Sequence, residues 1–288
     1  MTDIQPKELV FVTRYGNIAA LQWGTGNTHK VLALHGWLDN AASFWHLAPI
    51  LAEQGMEITA IDFPGHGHSD HRAVGHSYGF IDFVIDIQAV IEQMDKPITL
   101  LCHSMGAAIG VMYAAAFPEQ INRIVLIENL GPIPPYQPGK AISSLREALK
   151  LWSKHSLQHK RFYPTVEKAI VARQEATPMD ADIIRPLVER GLCQSKKGLH
   201  WRTDKRLRLR SFFRMSEEQI QEFLTATQVP TQLIIAKPRT YALQYPMVEE
   251  RIKALEPAQF DQLKGDHHLH MSQAKPVAES ILKFIQAT

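Results

Sequence analysis

Short apolar runs alternate with longer amphipathic segments along most of the chain, and this alternation predicts strands and helices in turn. Apolar runs bounded by turn residues are typical of buried strands, and apolar residues three and four positions apart are typical of helices. A hairpin around Gly16 opens the series. The predicted strands are 9–13, 18–23, 31–34, 57–61, 98–101, 124–128, 231–236 and 258–264, and the predicted helices include 45–54, 78–94, 107–116, 142–154, 165–176 and 277–285. The pattern predicts an α/β fold with a mostly parallel, doubly wound sheet of about eight strands.

The alternation is interrupted in the middle of the chain. The segment 131–135 is rich in Gly and Pro, and strand-like patterning does not resume before Pro230. Because the interval contains helix-like segments, it predicts a helical cap inserted into the sheet domain. The predicted division is 1–129 for the first part of the α/β core, 130–228 for the cap and 229–288 for the second part of the core.

Composition is consistent with a large core and a substantial insertion, since the chain has 288 residues and 45% hydrophobic content. One of the two cysteines, Cys102, lies in a predicted turn, which argues against a disulfide with Cys193 and favours a reducing compartment. The N-terminus has no basic stretch followed by an apolar core, and no apolar run is long enough to span a bilayer. We therefore expect a cytoplasmic protein without a membrane span.

Charge is distributed unevenly, although the formal net charge is only +2. Basic residues concentrate in the predicted cap, at Lys196, Lys197, Arg202, Lys205, Arg206, Arg208, Arg210 and Arg214. This basic cluster is either a solvated face paired with nearby glutamates or a surface that holds an anionic acyl carrier, an acidic substrate or nucleic acid. Nucleic acid is disfavoured because no recognised binding fold accompanies the cluster.

The segment from Cys102 to Gly106 joins an apolar run to an Ala-rich helical segment. A strand, a sharp turn carrying serine and a helix form the geometry of an activated nucleophile, here Ser104. The residues two positions on either side must be small, and Gly106 meets that demand. Cys102 stands where the Gly-x-Ser-x-Gly pattern has glycine. A serine in an ordinary buried strand-to-helix turn is the alternative interpretation.

Two further segments fit a serine nucleophile. His35-Gly36-Trp37 follows a buried strand, so the backbone N–H groups of Trp37 and Met105 are candidates for an oxyanion hole. The His-rich segment 267–271 follows the last predicted strand, and a histidine there can accept the serine proton.

With His35 to Asp39 and the turn Asp62 to Ser69, the chain resembles the α/β-hydrolase superfamily and, within it, serine hydrolase-like esterases. The resemblance covers nearly the whole length except the middle region. It implies that the cap is a lid over the active site. It also implies that His267, three residues before His270, is the catalytic histidine, with His268 as the second candidate.

The third residue of the triad is an acid, and most members of the superfamily carry it after the strand that corresponds to 231–236 in this chain. The residues that follow it, 237–240, include no carboxylate. Other members place the acid one strand earlier, where Glu128 ends the apolar run 124–127. A buried carboxylate needs a partner, and His267 would supply it. The alternatives are that Glu128 only anchors the following loop, or that Asp261 or Asp266 is the acid.

These residues together predict hydrolysis of an ester or related acyl bond in a small-molecule substrate through an acyl-serine intermediate. No cofactor is implied, and a metal site is disfavoured because the loop histidines His66, His68, His71 and His76 have no Cys partners at zinc-ligand spacing. A thioesterase or a carbon–carbon bond hydrolase would use the same triad, and a hydrolase-like binding protein with little turnover is a further alternative.

The cap aromatic residues Trp152, Phe162, Tyr163, Trp201, Phe212 and Phe213 are candidates for an acyl pocket or for the cap core. The sequence indicates neither the acyl preference nor the oligomeric state.

Overall fold

The computed structural model of the chain describes residues 4–132, 139–154, 161–240, 243 and 247–287. Residues 133–135, the end of the Pro-rich break in the sequence pattern, lie outside the described residues. A central sheet of eight strands organises the molecule in the order β1-β2-β4-β3-β5-β6-β9-β10. Its strands are β1 (Lys7–Thr13), β2 (Gly16–Trp23), β3 (His29–Leu34), β4 (Met56–Ile61), β5 (Ile98–His103), β6 (Ile121–Ile127), β9 (Thr231–Lys237) and β10 (Gln259–Lys264).

The pairing of these strands confirms the predicted fold class. β1 pairs antiparallel with β2, and β2 pairs antiparallel with β4. Every other pair in the sheet is parallel, from β4 through β3, β5, β6 and β9 to β10. Because parallel strands end at the same edge, the loops after β3, β5, β6, β9 and β10 collect at one edge of the sheet.

Helices cover both faces of the sheet. They are α1 (Ala48–Ala52), α2 (Asp82–Ile91), α3 (Met105–Ala116), α4 (Ala141–Lys154), α5 (Val166–Gln174), α6 (Ala181–Gly191), α7 (Glu217–Ala226), α8 (Met247–Leu255), α9 (Leu269–Ser272) and α10 (Ala274–Ala287). Alternate strand residues separate the core into two layers. Leu32 and Leu34 belong to the layer that contains α2, α3 and α7, whereas Val31 and Ala33 belong to the layer that contains α1 and α10.

The helix bounds differ most from the sequence prediction at two places. The segment predicted as a helix over 45–54 contains only the short α1, preceded by a 3₁₀ helix at Ala41–Phe44. The segment predicted as a helix over 78–94 contains α2 only from Asp82 to Ile91. Residues 79–82 form a turn in which the Asp82 N–H donates to the Gly79 carbonyl and the Asp82 carboxylate accepts a hydrogen bond from the Gly79 N–H. Glycine lowers helix propensity at such a position.

The region between β6 and β9 contains α4 to α7, a short antiparallel ribbon and a 3₁₀ helix at Lys205–Arg208. The ribbon, β7 (Leu192–Ser195) and β8 (Gly198–Trp201), was not predicted, because its strands are short and half-exposed. Side chains of α5, α6 and the ribbon form a separate apolar cluster. In contrast, α7 packs against α3 and α8 and places Ile220 and Leu224 in the main core. The domain division at 130 and 228 stays a prediction.

Two properties bear on the cellular setting. Both Cys102 and Cys193 are free thiols. None of the helices in the described part of the chain combines the length and the apolar character that a bilayer span requires.

Candidate active site

Ser104 lies in the sharp turn between β5 and α3. Its backbone has φ 51° and ψ −111°, a conformation that is costly for a residue with a side chain. The Ser104 N–H donates to the Ile127 carbonyl, which holds the turn against β6. A Cβ atom at Gly106 would lie 2.2 Å from the Leu34 carbonyl oxygen, so only glycine lets α3 approach β3 this closely.

The departure from glycine at Cys102 has a structural explanation. The Cys102 side chain is fully buried beneath α3. A Cβ atom at Gly110 would lie 2.6 Å from the Cys102 Sγ, so the helix leaves room for the larger side chain by using glycine at this position. Sequence reasoning missed this compensation, although Gly110 stands out within an Ala-rich helix.

His267 contacts Ser104 and Glu128 through its two ring nitrogens. Nε2 lies 2.9 Å from Ser104 Oγ, and Nδ1 lies 3.1 Å from Glu128 Oε2. The histidine comes from the loop after β10, the serine from the turn after β5 and the glutamate from the end of β6. The three residues singled out from sequence order are therefore brought together at one edge of the sheet.

Glu128 is fully buried and has donors on both carboxylate oxygens. The Ala236 N–H donates to Oε1 over 2.5 Å, and the Thr240 hydroxyl donates to Oε2 over 2.5 Å. Both donors belong to β9 or the segment after it, the region where the sequence lacks a carboxylate. Glu128 itself has φ 61°, so the chain adopts an unfavourable backbone conformation to place the carboxylate there.

The other candidates lie elsewhere. His268 Nε2 lies 3.2 Å from Asp39 Oδ2, and Asp266 accepts a hydrogen bond from the His268 N–H. Asp261 accepts hydrogen bonds from Gln232 and Ser280 instead of contacting a histidine. None of the three contacts Ser104 in the described part of the chain.

The segment from Gly36 to Leu38 runs beside the serine turn. A Cβ atom at Gly36 would lie 2.9 Å from His103 Nδ1 and 3.2 Å from Ser104 Cβ, so glycine is required for this approach. Leu38 adopts φ 63° and donates its N–H to His66 Nε2. Within the described residues, neither the N–H of Trp37 nor that of Met105 has a hydrogen-bond acceptor. Both groups are thus available to an oxygen atom of a ligand.

Neutral histidines support this loop. His35 Nε2 accepts from the Phe63 N–H while Nδ1 donates to the Gly36 carbonyl. His66 Nδ1 donates to the Pro64 carbonyl. Burial lowers the pKa of His35 to about 4 and the pKa of His66 to about 3. These two histidines hold backbone groups as neutral rings.

His103 was not singled out from the sequence, yet it lies directly beneath His267. Its Nε2 donates to the His267 carbonyl over 2.8 Å, and the two ring centroids are 5.0 Å apart. Burial, together with the neighbouring histidines, lowers the pKa of His103 well below its ordinary value. A neutral His103 therefore fixes the backbone of the histidine loop. Its position next to Ser104 in sequence was the available signal.

Asp39 connects the histidine loop to α5 of the cap region. It is buried and accepts from Arg173 over 2.6 Å on one oxygen while facing His268 with the other. Burial alone would raise the pKa of Asp39, but His268 and Arg173 outweigh it and hold that pKa well below its ordinary value. Asp39 is therefore a buried carboxylate with partners on both oxygens.

A cavity of about 520 Å³ opens onto Ser104. Its wall is largely apolar and includes Trp37, Phe80, Leu130, Leu207, Leu243 and Val248. The cap aromatic residues proposed from sequence do not line it in the described part of the chain. Trp152 packs against Phe212, and Phe213 is 84% exposed.

The described residues contain no group of three His, Cys, Asp or Glu side chains placed to share a metal ion. Of the loop histidines considered from sequence, His66 is buried and hydrogen-bonded, and His71 Nδ1 lies 3.4 Å from Asp204.

Comparison with known proteins places this geometry in a family. Residues 30–181 match the family model described as the alpha/beta hydrolase fold. A serine hydrolase-like protein of Danio rerio is 29% identical over 285 residues, which cover 94% of this chain and 86% of that protein. A crystal structure of a hypothetical protein from Pseudomonas aeruginosa PAO1 is 36% identical, with a TM-score of 0.90, over 97% of this chain and 99% of that one. A thioesterase domain from the curacin biosynthetic pathway is 27% identical, with a TM-score of 0.85, over 96% of this chain and 99% of that domain.

The family match spans more than half of the chain and includes β3 to β6, the strands that carry Trp37, Ser104 and Glu128 at their ends. The similar structures extend the likeness over nearly the whole length of the chain. The chain belongs to the alpha/beta hydrolase fold family, with serine hydrolase-like proteins among its relatives.

Proposed function

We propose that the protein is a serine hydrolase that cleaves a carboxylic ester or related acyl bond through an acyl-serine intermediate. The observation that carries the proposal is the chain of contacts from Ser104 Oγ to His267 Nε2 at 2.9 Å and from His267 Nδ1 to Glu128 Oε2 at 3.1 Å. A nucleophile, a base and a group that orients the base in this arrangement are the parts of a catalytic triad.

Acylation in this proposal begins with Ser104. Oγ attacks the carbonyl carbon of the substrate while His267 Nε2 takes the hydroxyl proton. The negative charge that develops on the carbonyl oxygen is stabilised by the N–H groups of Trp37 and Met105, each worth about 3–4 kcal/mol in comparable sites. His267 then donates its proton to the leaving group, and the acyl group stays on Ser104.

Deacylation reverses the proton transfers. His267 takes a proton from a water molecule, which attacks the acyl carbon, and Ser104 Oγ leaves with that proton. The Glu128 carboxylate stabilises the imidazolium that forms in both steps, and its two other donors hold it in place. His103 holds the His267 backbone from below.

The shape of the cavity supports an apolar acyl group. About 520 Å³ with a largely apolar wall suits a hydrocarbon chain or ring, although the wall also includes Arg208, Arg210, Arg214 and Arg251. The acyl portion of the substrate is therefore assigned to the region bounded by Phe80, Leu130, Leu243 and Val248.

A thioester is the second candidate for the scissile bond. The supporting observation is the curacin-pathway thioesterase domain, which is 27% identical over 96% of this chain. The same triad attacks either bond, so the two candidates differ in the leaving group and not in the catalytic residues.

The test is covalent labelling with a fluorophosphonate probe combined with turnover of p-nitrophenyl esters and acyl thioesters of increasing chain length. We expect the wild type to be labelled and Ser104→Ala to lose both labelling and turnover. Ser153→Ala is the matched control, because Ser153 is an exposed residue of α4 whose hydroxyl donates to the Lys150 carbonyl. Ordinary turnover by Ser104→Ala would overturn the proposal. Labelling of the wild type without turnover of any ester or thioester would favour a binding protein.

A further inference from the structure

A second cavity of about 910 Å³ lies on the cap side of the molecule. Its wall is formed by α5, α6, the end of β8, the 3₁₀ helix at Lys205–Arg208 and the segment around Arg72. This second cavity is separate from the apolar cavity that opens onto Ser104, and the proposed mechanism does not use it.

The two cavities share a boundary. Arg208 and Leu209 line both of them. The preceding residues divide between them, since Lys205 and Arg206 line the second cavity whereas Leu207 lines the Ser104 cavity.

The loop after β3 forms the other part of the boundary. Trp37 lines the Ser104 cavity, its neighbour Leu38 lines the second cavity, and the Trp37 Nε1–H donates to the Leu207 carbonyl over 3.0 Å. A ligand that crosses this boundary therefore passes Trp37, whose backbone N–H is the donor proposed for the oxyanion hole.

The wall of the second cavity is strongly basic. Its cationic side chains are Arg72, Arg161, Arg173, Arg202, Lys205, Arg206 and Arg208, and its carboxylate is Asp204. Arg206 pairs with Asp204, and Arg72 and Arg173 pair with carboxylates behind the wall, Asp86 and Asp39.

Four cations have no carboxylate partner among the described residues: Arg161, Arg202, Lys205 and Arg208. Arg202 is held in place by a hydrogen bond from its Nε to the Leu192 carbonyl, which leaves the other guanidinium nitrogens unused by that contact. Arg206 is also fixed, because its guanidinium donates to three carbonyls and to Asp204. An arrangement of fixed and unmatched cations around a concave site favours an anion.

We propose that the second cavity binds a negatively charged portion of the substrate while the acyl bond lies at Ser104. The inference rests on the proposed hydrolase function and specifies the substrate class, an acyl ester or thioester that carries a phosphate or carboxylate group. The anion interacts with Arg202, Lys205 and Arg208, and the connecting part of the substrate crosses the boundary at Leu38 and Leu209.

Two pairs of substrates separate the possible sources of the charge. Hexanoyl-coenzyme A and the hexanoyl thioester of N-acetylcysteamine share the acyl group and the thioester, but only the first carries phosphates on the leaving group. The mono-p-nitrophenyl ester of adipic acid and p-nitrophenyl hexanoate share the leaving group, but only the first carries a carboxylate on the acyl side. The measured quantity is the ratio of kcat/KM for the charged substrate to that for its uncharged partner.

We expect this ratio to exceed one for at least one pair. The pair that shows it identifies whether the charge lies on the leaving group or on the acyl group. In the double variant Lys205→Gln/Arg208→Gln we expect the favoured ratio to fall about tenfold or more, mainly through KM, because each removed cation loses a charge-assisted contact. The control Lys150→Gln/Lys168→Gln removes the same net charge from exposed positions on α4 and α5 that line neither cavity. It leaves the ratio unchanged.

The results test the anion site and the proposed function separately. Turnover of the uncharged substrates without preference for either charged one, or a preference that the Lys205/Arg208 variant retains, would overturn the anion site and leave the proposed function intact. Absence of turnover with all four substrates would overturn the proposed function. The anion site would then be decided by melting temperature, since coenzyme A or adipate must stabilise the wild type more than the Lys205/Arg208 variant.

Discussion

In the proposed triad, the acid Glu128 comes from one strand earlier than in most members of the superfamily. It directly follows β6, but the groups that hold its carboxylate, the Ala236 N–H and the Thr240 hydroxyl, belong to β9 and the segment after it. The two strands are parallel neighbours, so a carboxylate from either one can reach the same histidine. The contact with His267 argues against a role for Glu128 as a loop anchor alone.

The first prediction concerns Glu128→Gln. The amide keeps the volume but removes the charge that stabilises the imidazolium, and we expect kcat to fall by about 10³- to 10⁴-fold, as in a comparable triad. The amide nitrogen must also face either the Ala236 N–H or the Thr240 and His267 side, so we expect a lower melting temperature. Both quantities are measured on one preparation. Asp261→Asn is the control, because Asp261 contacts Gln232 and Ser280 and is expected to leave kcat unchanged. Normal turnover per folded Glu128→Gln molecule would contradict the assignment.

The second prediction separates the adjacent histidines. His267→Ala removes the group between Ser104 and Glu128, and we expect kcat/KM to fall by about 10²- to 10⁴-fold. His268→Ala removes a partner of Asp39 and leaves the triad contacts in place, so we expect a loss of about tenfold or less. Steady-state kinetics on the preferred ester compares the two variants. A larger loss in His268→Ala would show that the histidine assignment is displaced by one residue.

Sequence order was sufficient to predict that Ser104, His267 and Glu128 lie in contact, because the strand ends of a parallel sheet share an edge. It was insufficient for His103 and Asp39. His103 acts on a backbone carbonyl more than 160 positions away, and Asp39 meets Arg173 from the cap region. Contacts of this kind depend on how loops and the insertion are folded, which periodicity does not encode.

At the scale of elements, the buried strands were predictable because continuous apolar runs occupy the middle of the sheet. β3, β5 and β6 each appeared as such a run, and the structure extends them by a few residues at their ends. The ribbon β7–β8 and the start of α2 were not predictable. Their short segments are fixed by tertiary contacts, such as the backbone pairing of Tyr163 with Leu199 and the hydrogen bond from Tyr78 to Asp204.

The third prediction concerns the packing of α3 on β5. Gly110→Ala gains about 1 kcal/mol of helix propensity but places Cβ against the Cys102 Sγ, and overpacking of this kind costs about 1–3 kcal/mol. We therefore expect Gly110→Ala to destabilise the wild type and to be neutral or stabilising in a Cys102→Ala background. Urea unfolding of both single variants and the double variant gives the coupling energy, expected to be about 1–2 kcal/mol. Additive effects of the two substitutions would show that the Sγ contact does not determine the glycine.

At the scale of the whole molecule, ion pairs connect the region between β6 and β9 to the sheet. Arg190 on α6 contacts Asp62 after β4 and Glu8 on β1, and Arg173 on α5 contacts Asp39 after β3. Asp39 also faces His268, which lies next to the proposed base. The insertion is therefore bound to the sheet at the edge where the candidate site lies.

The fourth prediction concerns this connection. Arg173→Gln removes the cation from Asp39 and leaves a buried carboxylate that has lost its guanidinium partner, which is costly. We expect kcat to fall several-fold and the melting temperature to fall by a few degrees. Arg185→Gln is the control, because Arg185 lies on α6 and its ion pairs with Glu167 and Glu189 are exposed. Equal kinetics and stability in the two variants would show that the Arg173–Asp39 contact contributes no more than an exposed ion pair.

The last prediction is the response of stability to acid. His35 and His66 are neutral in the folded state, and each accepts a backbone N–H on Nε2, so protonation breaks a buried hydrogen bond. Burial lowers their folded pKa values to about 4 and about 3, whereas an unfolded histidine titrates near its ordinary value of about 6.5. Between these values the unfolded chain binds more protons than the folded protein, so stability is fully present above about pH 6.5 and is lost as pH falls towards 4. The slope is on the order of 1 kcal/mol per pH unit for each histidine. Urea unfolding at a series of pH values measures this slope.

His66→Gln is expected to be less stable at pH 7 but to lose less stability between pH 6.5 and 4, whereas the exposed control His76→Gln keeps the wild-type slope. An unchanged slope in His66→Gln would show that this buried ring does not control the acid response.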